Sequence, residues 1–128
     1  MIVYGKKTMD NQTSAALDSK EIVLHFIDAM NRYDYEEARS YVTDDMSFVG
    51  VLGTRNGAEA YFNDMQKMRL QYKVVKAFSD GEDVCLIYDI NMSGKEIFCF
   101  GWYQMQKDKI KSFRVVFDPR PLLEKTNG

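Results

Sequence analysis

The stretch that decides the fold is residues 26–50, FIDAMNRYDYEEARSYVTDDMSFVG, in which a helical pattern gives way to a strand. Ser19 is expected to cap the first helix and Asp34 a second, shorter one. The run DDMSFVGVLG, residues 44–53, then predicts a strand that ends at glycines. The first helix is predicted from apolar side chains at helical spacing, which are Ile22, Val23, Phe26, Ile27 and Met30.

The rest of the chain predicts one further helix and then a series of strands. Residues 54–57, TRNG, are typical of a turn, and AEAYFNDMQKM, residues 58–68, is helical in pattern. Short connections (DGED, SGKE and KDK) join the strands that follow and indicate an antiparallel meander. We therefore expect an α+β fold with three N-terminal helices packed on a curved antiparallel sheet. The four predicted strands are residues 71–79, 84–92, 97–106 and 110–117.

Length and composition are typical of one globular domain. The chain has 128 residues, of which 45% are hydrophobic and 28% charged. Its 17 basic and 19 acidic side chains give a net charge of −2, so neither nucleic acid nor a membrane is expected as a partner. The polar, small-residue composition of the N-terminal stretch predicts a flexible tail over residues 1–18. Residues 19–128 are predicted to form a single domain. The opening MIVYGKK is too short for a secretory hydrophobic region, so a cytoplasmic location is expected.

Few residues suggest a metal site or nucleophilic catalysis. The one histidine, His25, falls on the charged face of the first predicted helix, where a surface position is expected. Cys85 and Cys99 lack CxxC spacing and are expected to be reduced thiols. The sequence has no metal-ligand motif, phosphate-binding glycine loop or nucleophile–histidine pair, so no metal and no cofactor are predicted.

The order of elements resembles the nuclear transport factor 2 superfamily, and especially its SnoaL-like polyketide cyclase branch. Three stretches carry the resemblance: residues 26–50, RNGAEAYFNDM at residues 55–65, and FRVVFDPRPLL at residues 113–123. The resemblance implies a cystatin-like, SnoaL-like cone and homodimerisation through the sheet. Proteins similar to it include isomerases, cyclases, epoxide hydrolases, dehydratases and non-catalytic domains, so the fold alone does not choose a function.

The chemistry of ketosteroid isomerase, a member of this superfamily, is not expected here. That enzyme uses an aspartate base and an oxyanion hole made of a tyrosine and a protonated aspartate. When this sequence is matched to that enzyme, the position of the base falls on Gly50, that of the tyrosine on Phe26 and that of the protonated aspartate on Gly101. None of these side chains can move a proton or donate a hydrogen bond, so isomerisation by that mechanism is excluded.

The resemblance makes Asp118 the candidate catalytic residue, because similar cyclases use an aspartate near the C-terminal strand as acid or base. Asp89 is a second candidate. The epoxide hydrolases of the superfamily use an aspartate–arginine–aspartate set, to which Asp89, Arg114 and Asp118 would correspond. However, Arg114 and Asp118 lie about 13 Å apart along a regular strand, too far for an ion pair unless the strand bends.

Strand alternation offers a second interpretation of Asp118, as the residue that ends a strand. Phe113, Val115 and Phe117 share one face, which is the natural lining of a pocket or core, and this leaves Asp118 on the other face. Pro119 then removes the next backbone donor. A catalytic Asp118 would therefore require a bulge between Val115 and Pro119.

An apolar pocket between the helices and the sheet is predicted, with a completely filled core as the alternative. The pocket would suit a hydrophobic small molecule. Three functions follow: binding such a molecule in an enclosed pocket, cofactor-free isomerase, cyclase or hydrolase chemistry with Asp118 or Asp89, or non-catalytic dimerisation. The substrate-binding residues expected are Phe26, Met30, Tyr61, Met65, Tyr103, Val115 and Phe117.

The run EIFCFGWYQM, residues 96–105, is apolar on both of its faces. A sheet face in contact with water normally alternates with polar residues. Since the three helices are needed to cover one face, we expect the other to meet a second copy of the chain. Phe98, Phe100 and Trp102 would then form the dimer interface.

Overall fold

The computed structural model describes residues 18–123, which form four helices and six strands. The helices are α1 (Ser19–Asn31), α2 (Tyr35–Arg39), α3 (Ala58–Met68) and α4 (Arg120–Leu123). The strands are β1 (Val42–Val49), β2 (Thr54–Asn56), β3 (Gln71–Asp80), β4 (Asp83–Met92), β5 (Lys95–Gln106) and β6 (Lys109–Phe117). In this part of the chain, every helix is too short or too polar to span a bilayer. The predicted tail lies outside the described residues, except for Asp18.

The strands form one curved, open sheet in the order β2-β1-β6-β5-β4-β3. Strands β3 to β6 make the predicted antiparallel meander, but β1 pairs parallel with β6, with Phe48 opposite Phe113. The predicted fold class is confirmed, and this parallel pair lies outside the meander, because short turns report only on strands adjacent in sequence. The predicted turn at 54–57 was wrong, since Thr54 pairs with Val49 as part of β2.

Helices α1 and α2 each begin at an aspartate cap, one of them a correction to the sequence prediction. Asp18, not Ser19, caps α1: its carboxylate accepts from the Glu21 backbone N–H at 2.8 Å, and the Glu21 side chain accepts from the Asp18 N–H at 3.4 Å. This reciprocal capping box satisfies two N–H groups that the helix leaves free, whereas a Ser19 cap lacks a matching partner. The predicted cap of α2 is confirmed, because Asp34 accepts from the Glu37 N–H at 3.0 Å.

The core lies between the inner face of the sheet and helices α1 and α3. Strand β5 shows how the two faces separate. Its inner side chains are buried, whereas Phe98, Phe100 and Trp102 on the outer face are 54%, 42% and 48% exposed. The predicted alternation along β5 is therefore correct. Cys85 and Cys99 are free thiols, the first half-buried and the second buried.

Candidate functional site

A cavity of about 170 Å³ lies between the inner face of the sheet and α3, next to the β1–β2 loop. Exposed Val51, Leu52 and Met68 line one end, so the cavity opens to solvent there rather than being enclosed as expected. The deeper wall is formed by Phe48, Tyr61, Met65, Leu70, Tyr72, Tyr88, Ile90, Met92, Tyr103, Phe113, Val115 and Phe117.

The structure brings together most, but not all, of the residues expected in the pocket. Phe26 and Met30 on α1 do not line the cavity, and they are only 1% and 2% exposed. The Phe26 ring packs edge-on against Phe113, with 6.0 Å between ring centroids. These two residues belong to the filled core. The expected residues that do line the cavity are Tyr61, Met65, Tyr103, Val115 and Phe117, and ligand contact by them stays a prediction.

Two tyrosine hydroxyls meet in the cavity wall. Tyr88 on β4 and Tyr103 on β5 both point inward, and their hydroxyl oxygens are 2.6 Å apart. The Tyr103 ring stacks on Phe113 with 4.7 Å between centroids, which fixes its direction. Burial raises the pKa of both phenols well above the ordinary value. Both hydroxyls are therefore protonated, and able to donate, at neutral pH.

Two further tyrosines contribute hydroxyl groups to the same wall. Tyr61 comes from α3 and Tyr72 from β3, and burial raises the pKa of each. Sequence reasoning missed Tyr72 and Tyr88. The alternation of VCLIYDI, residues 84–90, placed Tyr88 on the same face as buried Val84 and could have found it.

Two glycines at this site are positions where a side chain would collide with an aromatic ring. A Cβ on Gly101 would overlap the Tyr88 hydroxyl, and a Cβ on Gly50 would lie 2.8 Å from the ring of Phe48. These are the positions at which the resemblance placed the acid and the base of ketosteroid isomerase. The rings of Phe48 and Tyr88 fill the space beside Gly50 and Gly101.

The charged side chains at the cavity neutralise each other. Among the described lining residues these are Arg55 on β2 and Asp64 on α3, and Arg55 Nε donates to Asp64 Oδ2 at 2.5 Å. Both side chains are partly exposed, so the pair lies towards the mouth. Within residues 18–123, no three His, Cys, Asp or Glu side chains lie close enough together to hold a metal ion.

The structure places Asp118 outside the cavity. From Ser112 to Phe117 the pairing of β6 with β5 is regular, so the bulge near Val115 that would turn Asp118 inward is absent from this segment. The Asp118 carboxylate accepts from the Arg120 backbone N–H at 3.0 Å and from its guanidinium at 2.6 Å. The side-chain hydrogen bond from Arg120 lowers the pKa of Asp118. This geometry is that of a strand terminator and turn residue, and it does not support an acid–base role in the cavity.

The other members of the expected aspartate–arginine–aspartate set do not converge either. Asp89 lies on β4 opposite Phe98 of β5, so its side chain is on the outer face of the sheet. Arg114 is exposed on β6, opposite Trp102. Both therefore lie on the far side of the sheet from the cavity, because alternate strand residues point to opposite faces.

Comparison with known proteins identifies the family and the fold. Residues 23–113 match the model of the SnoaL-like domain. An NTF2-like protein of unknown function from Cytophaga hutchinsonii ATCC 33406 is 45% identical, with a TM-score of 0.84, over 88% of this chain and 100% of that chain. No curated protein matches this chain.

More distant solved structures share the fold alone. An LEH-like epoxide hydrolase from M. tuberculosis is 16% identical with a TM-score of 0.69, over 78% of this chain and 82% of that chain. A putative polyketide cyclase from Sinorhizobium meliloti is 12% identical with a TM-score of 0.67, over 74% of this chain and 93% of that chain. Since a shared fold hosts many functions, these two carry no activity over to this chain.

Proposed function

This chain belongs to the SnoaL-like domain family, and on that premise we propose that it binds a hydrophobic small molecule in the cavity between α3 and the sheet. One observation carries the proposal: the cavity is walled by apolar and neutral phenol side chains, and its charged lining residues, Arg55 and Asp64, pair with each other. Ligand pockets are commonly apolar clefts with a few polar groups that fix orientation.

The size of the cavity limits the ligand. An apolar protein cavity of roughly 150 Å³ accommodates benzene, and this one measures about 170 Å³. A single ring with a small substituent therefore fills the interior. Met65, Met68 and Met92 line the wall, and their unbranched side chains can adjust to the shape of a bound molecule.

Binding is favoured over cofactor-free catalysis because the cavity offers no unpaired carboxylate and no imidazole among the described residues. Asp118 is paired with Arg120 beyond the end of β6, and Asp89 lies on the outer face. A general base must reach the proton that it removes directly or through one water. Neither carboxylate meets that condition for a ligand held in the cavity.

We also propose that the protein is a homodimer joined through the outer face of the sheet. Phe98, Phe100 and Trp102 on β5 and Val116 on β6 form a contiguous exposed apolar patch at the centre of the sheet. A central strand with three large exposed apolar side chains is unusual for a face in water. A two-fold axis would bury the same patch on both copies.

Ligand binding can be tested with isopropylbenzene, an apolar probe of suitable size, and protein labelled with ¹³C at the methionine methyl groups. The resonances of Met65, Met68 and Met92 should shift as the probe is added, because these residues line the cavity. Met46 and Met105 are buried elsewhere in the core and serve as internal controls. Resonances that stay unchanged throughout would refute the proposed cavity ligand.

A cavity-filling substitution sharpens this experiment. Met92 is half-buried in the wall, so Met92→Trp should fill part of the cavity without overpacking the deep core. This variant should lose the probe-induced shifts of Met65 while retaining the wild-type unfolding midpoint in urea. Undiminished binding by a stably folded Met92→Trp variant would place the ligand elsewhere.

A further inference from the structure

Resting on the proposed function, we propose that the Tyr88–Tyr103 hydroxyl pair is the polar anchor of the cavity and selects ligands that present a carbonyl oxygen. The ligand class is thus a neutral, ring-containing ketone or similar carbonyl compound, held by a phenol hydrogen bond and not converted. Both hydroxyls belong to residues of the cavity wall, and their oxygens lie 2.6 Å apart.

The count of hydrogen-bond donors leads to this proposal. Two hydroxyls supply two O–H donors, and the bond between Tyr88 and Tyr103 uses one of them. Within the described residues the structure records no other hydrogen bond for either hydroxyl, so one O–H donor is left for a group inside the cavity. Buried polar groups are normally hydrogen-bonded. In the described part of the chain the structure records no acceptor for this O–H, and a ligand oxygen can supply one.

The pair is a better donor than a single tyrosine would be. A hydroxyl that accepts one hydrogen bond is polarised, which strengthens the bond that it donates. The low polarity of the surrounding wall acts in the same direction. Burial also keeps both phenols protonated at neutral pH. The spare proton therefore stays available across the physiological pH range.

The preference for an uncharged carbonyl compound follows from the other groups at the site. Arg55 and Asp64 are already paired at the mouth, so no free cation in the described cavity wall would compensate a buried carboxylate or phosphate. A carbonyl oxygen accepts a hydrogen bond without bringing a donor of its own. A ligand hydroxyl would bring an O–H group that also needs an acceptor. If that group stayed unpaired, its desolvation would reduce the binding free energy.

Gly101 makes this arrangement possible. Any side chain at position 101 would occupy the space of the Tyr88 hydroxyl. The sequence therefore combines an inward Tyr on β4, an inward Tyr on β5 and a glycine two residues before the second tyrosine. These three residues together place the pair in the wall.

The test compares acetophenone with isopropylbenzene, which has nearly the same shape but lacks the oxygen. Infrared spectra of acetophenone labelled with ¹³C at the carbonyl report the hydrogen bond directly, because donation to the oxygen lowers the stretching frequency. With the wild-type protein, the bound band should lie at lower wavenumber than in hexane. The double variant Tyr88→Phe/Tyr103→Phe removes both O–H donors, so it should abolish this shift and weaken acetophenone binding roughly two- to tenfold. Isopropylbenzene should bind the double variant as tightly as the wild type.

Tyr72→Phe is the matched control, since it removes a hydroxyl from the same wall outside the pair. It should keep the lowered carbonyl frequency. A carbonyl band at its hexane position in the wild type, or a lowered band that persists in the Tyr88→Phe/Tyr103→Phe double variant, would overturn the anchor while leaving cavity binding intact. Failure of both probes to bind the wild type would overturn the proposed function, and the anchor with it.

Discussion

The hydroxyl of Tyr88 occupies the space that a side chain at position 101 would need, so the glycine at 101 and the tyrosine at 88 depend on each other. The two residues are on neighbouring strands, and Gly101 pairs with Leu86 in the ladder, two residues from Tyr88. Because the Tyr88 hydroxyl also bonds to Tyr103, a change at Gly101 would disturb the whole polar group of the cavity.

Gly101→Ala should therefore destabilise the protein through overpacking, by about 1–3 kcal/mol. The new methyl group must displace the Tyr88 ring and break its bond to Tyr103, and both residues are fully buried. Urea unfolding measures the loss. Gly53→Ala is the control, since a Cβ there meets only the end of the flexible Arg55 side chain at 3.7 Å. Equal stability of the two variants would contradict the close contact at position 101.

The stability of the protein should fall at alkaline pH because the cavity tyrosines are buried. The pKa of each is raised in the folded state, so the folded protein keeps protons that unfolded tyrosines lose near pH 10. This stability is fully present below about pH 10 and declines above it, by up to ~1.4 kcal/mol per pH unit for each such tyrosine. Urea unfolding between pH 8 and 11 should show a shallower decline for a Tyr88→Phe/Tyr103→Phe double variant. Identical slopes would mean that neither phenol is shielded.

Trp102→Lys should shift the proposed dimer towards monomer, because it places a charge at the centre of the exposed apolar patch on β5. Analytical ultracentrifugation of the wild type should show a dimer at micromolar concentration. Leu52→Lys provides the control: Leu52 is equally apolar and exposed, but it lies at the cavity mouth, and this variant should remain dimeric. A monomeric wild type would end the proposal.

Asp118→Asn should leave isopropylbenzene affinity unchanged, because the carboxylate lies outside the cavity. The ion pair with Arg120 is exposed and contributes little. Since the pKa of Asp118 is lowered in the folded state, its small stabilising effect is present above the ordinary aspartate pKa and lost as pH falls below it. Calorimetric titration checks affinity, and a marked loss would show that Asp118 contacts the ligand.

The sequence by itself determined the features that depend on local periodicity. The 3.6-residue pattern gave α1 and the face that it buries, and two-residue alternation separated Tyr103 from Trp102 on β5. Alternation likewise placed Asp118 away from the face of Val115 and Phe117, and Pro119 marked the end of the strand. Such features follow from backbone geometry within one element and need no knowledge of what packs against it.

Only the tertiary structure decided which inward side chains fill the core and which line the cavity. Phe26 and Tyr61 both occupy apolar positions of predicted helices. In the structure, however, Phe26 packs on Phe113 in the core, while Tyr61 lines the cavity. The tertiary structure also decided the parallel pairing of β1 with β6 and the hydrogen bond between Tyr88 and Tyr103. The physical reason is that periodicity tells which way a side chain points, whereas a cavity depends on the distance to the element opposite.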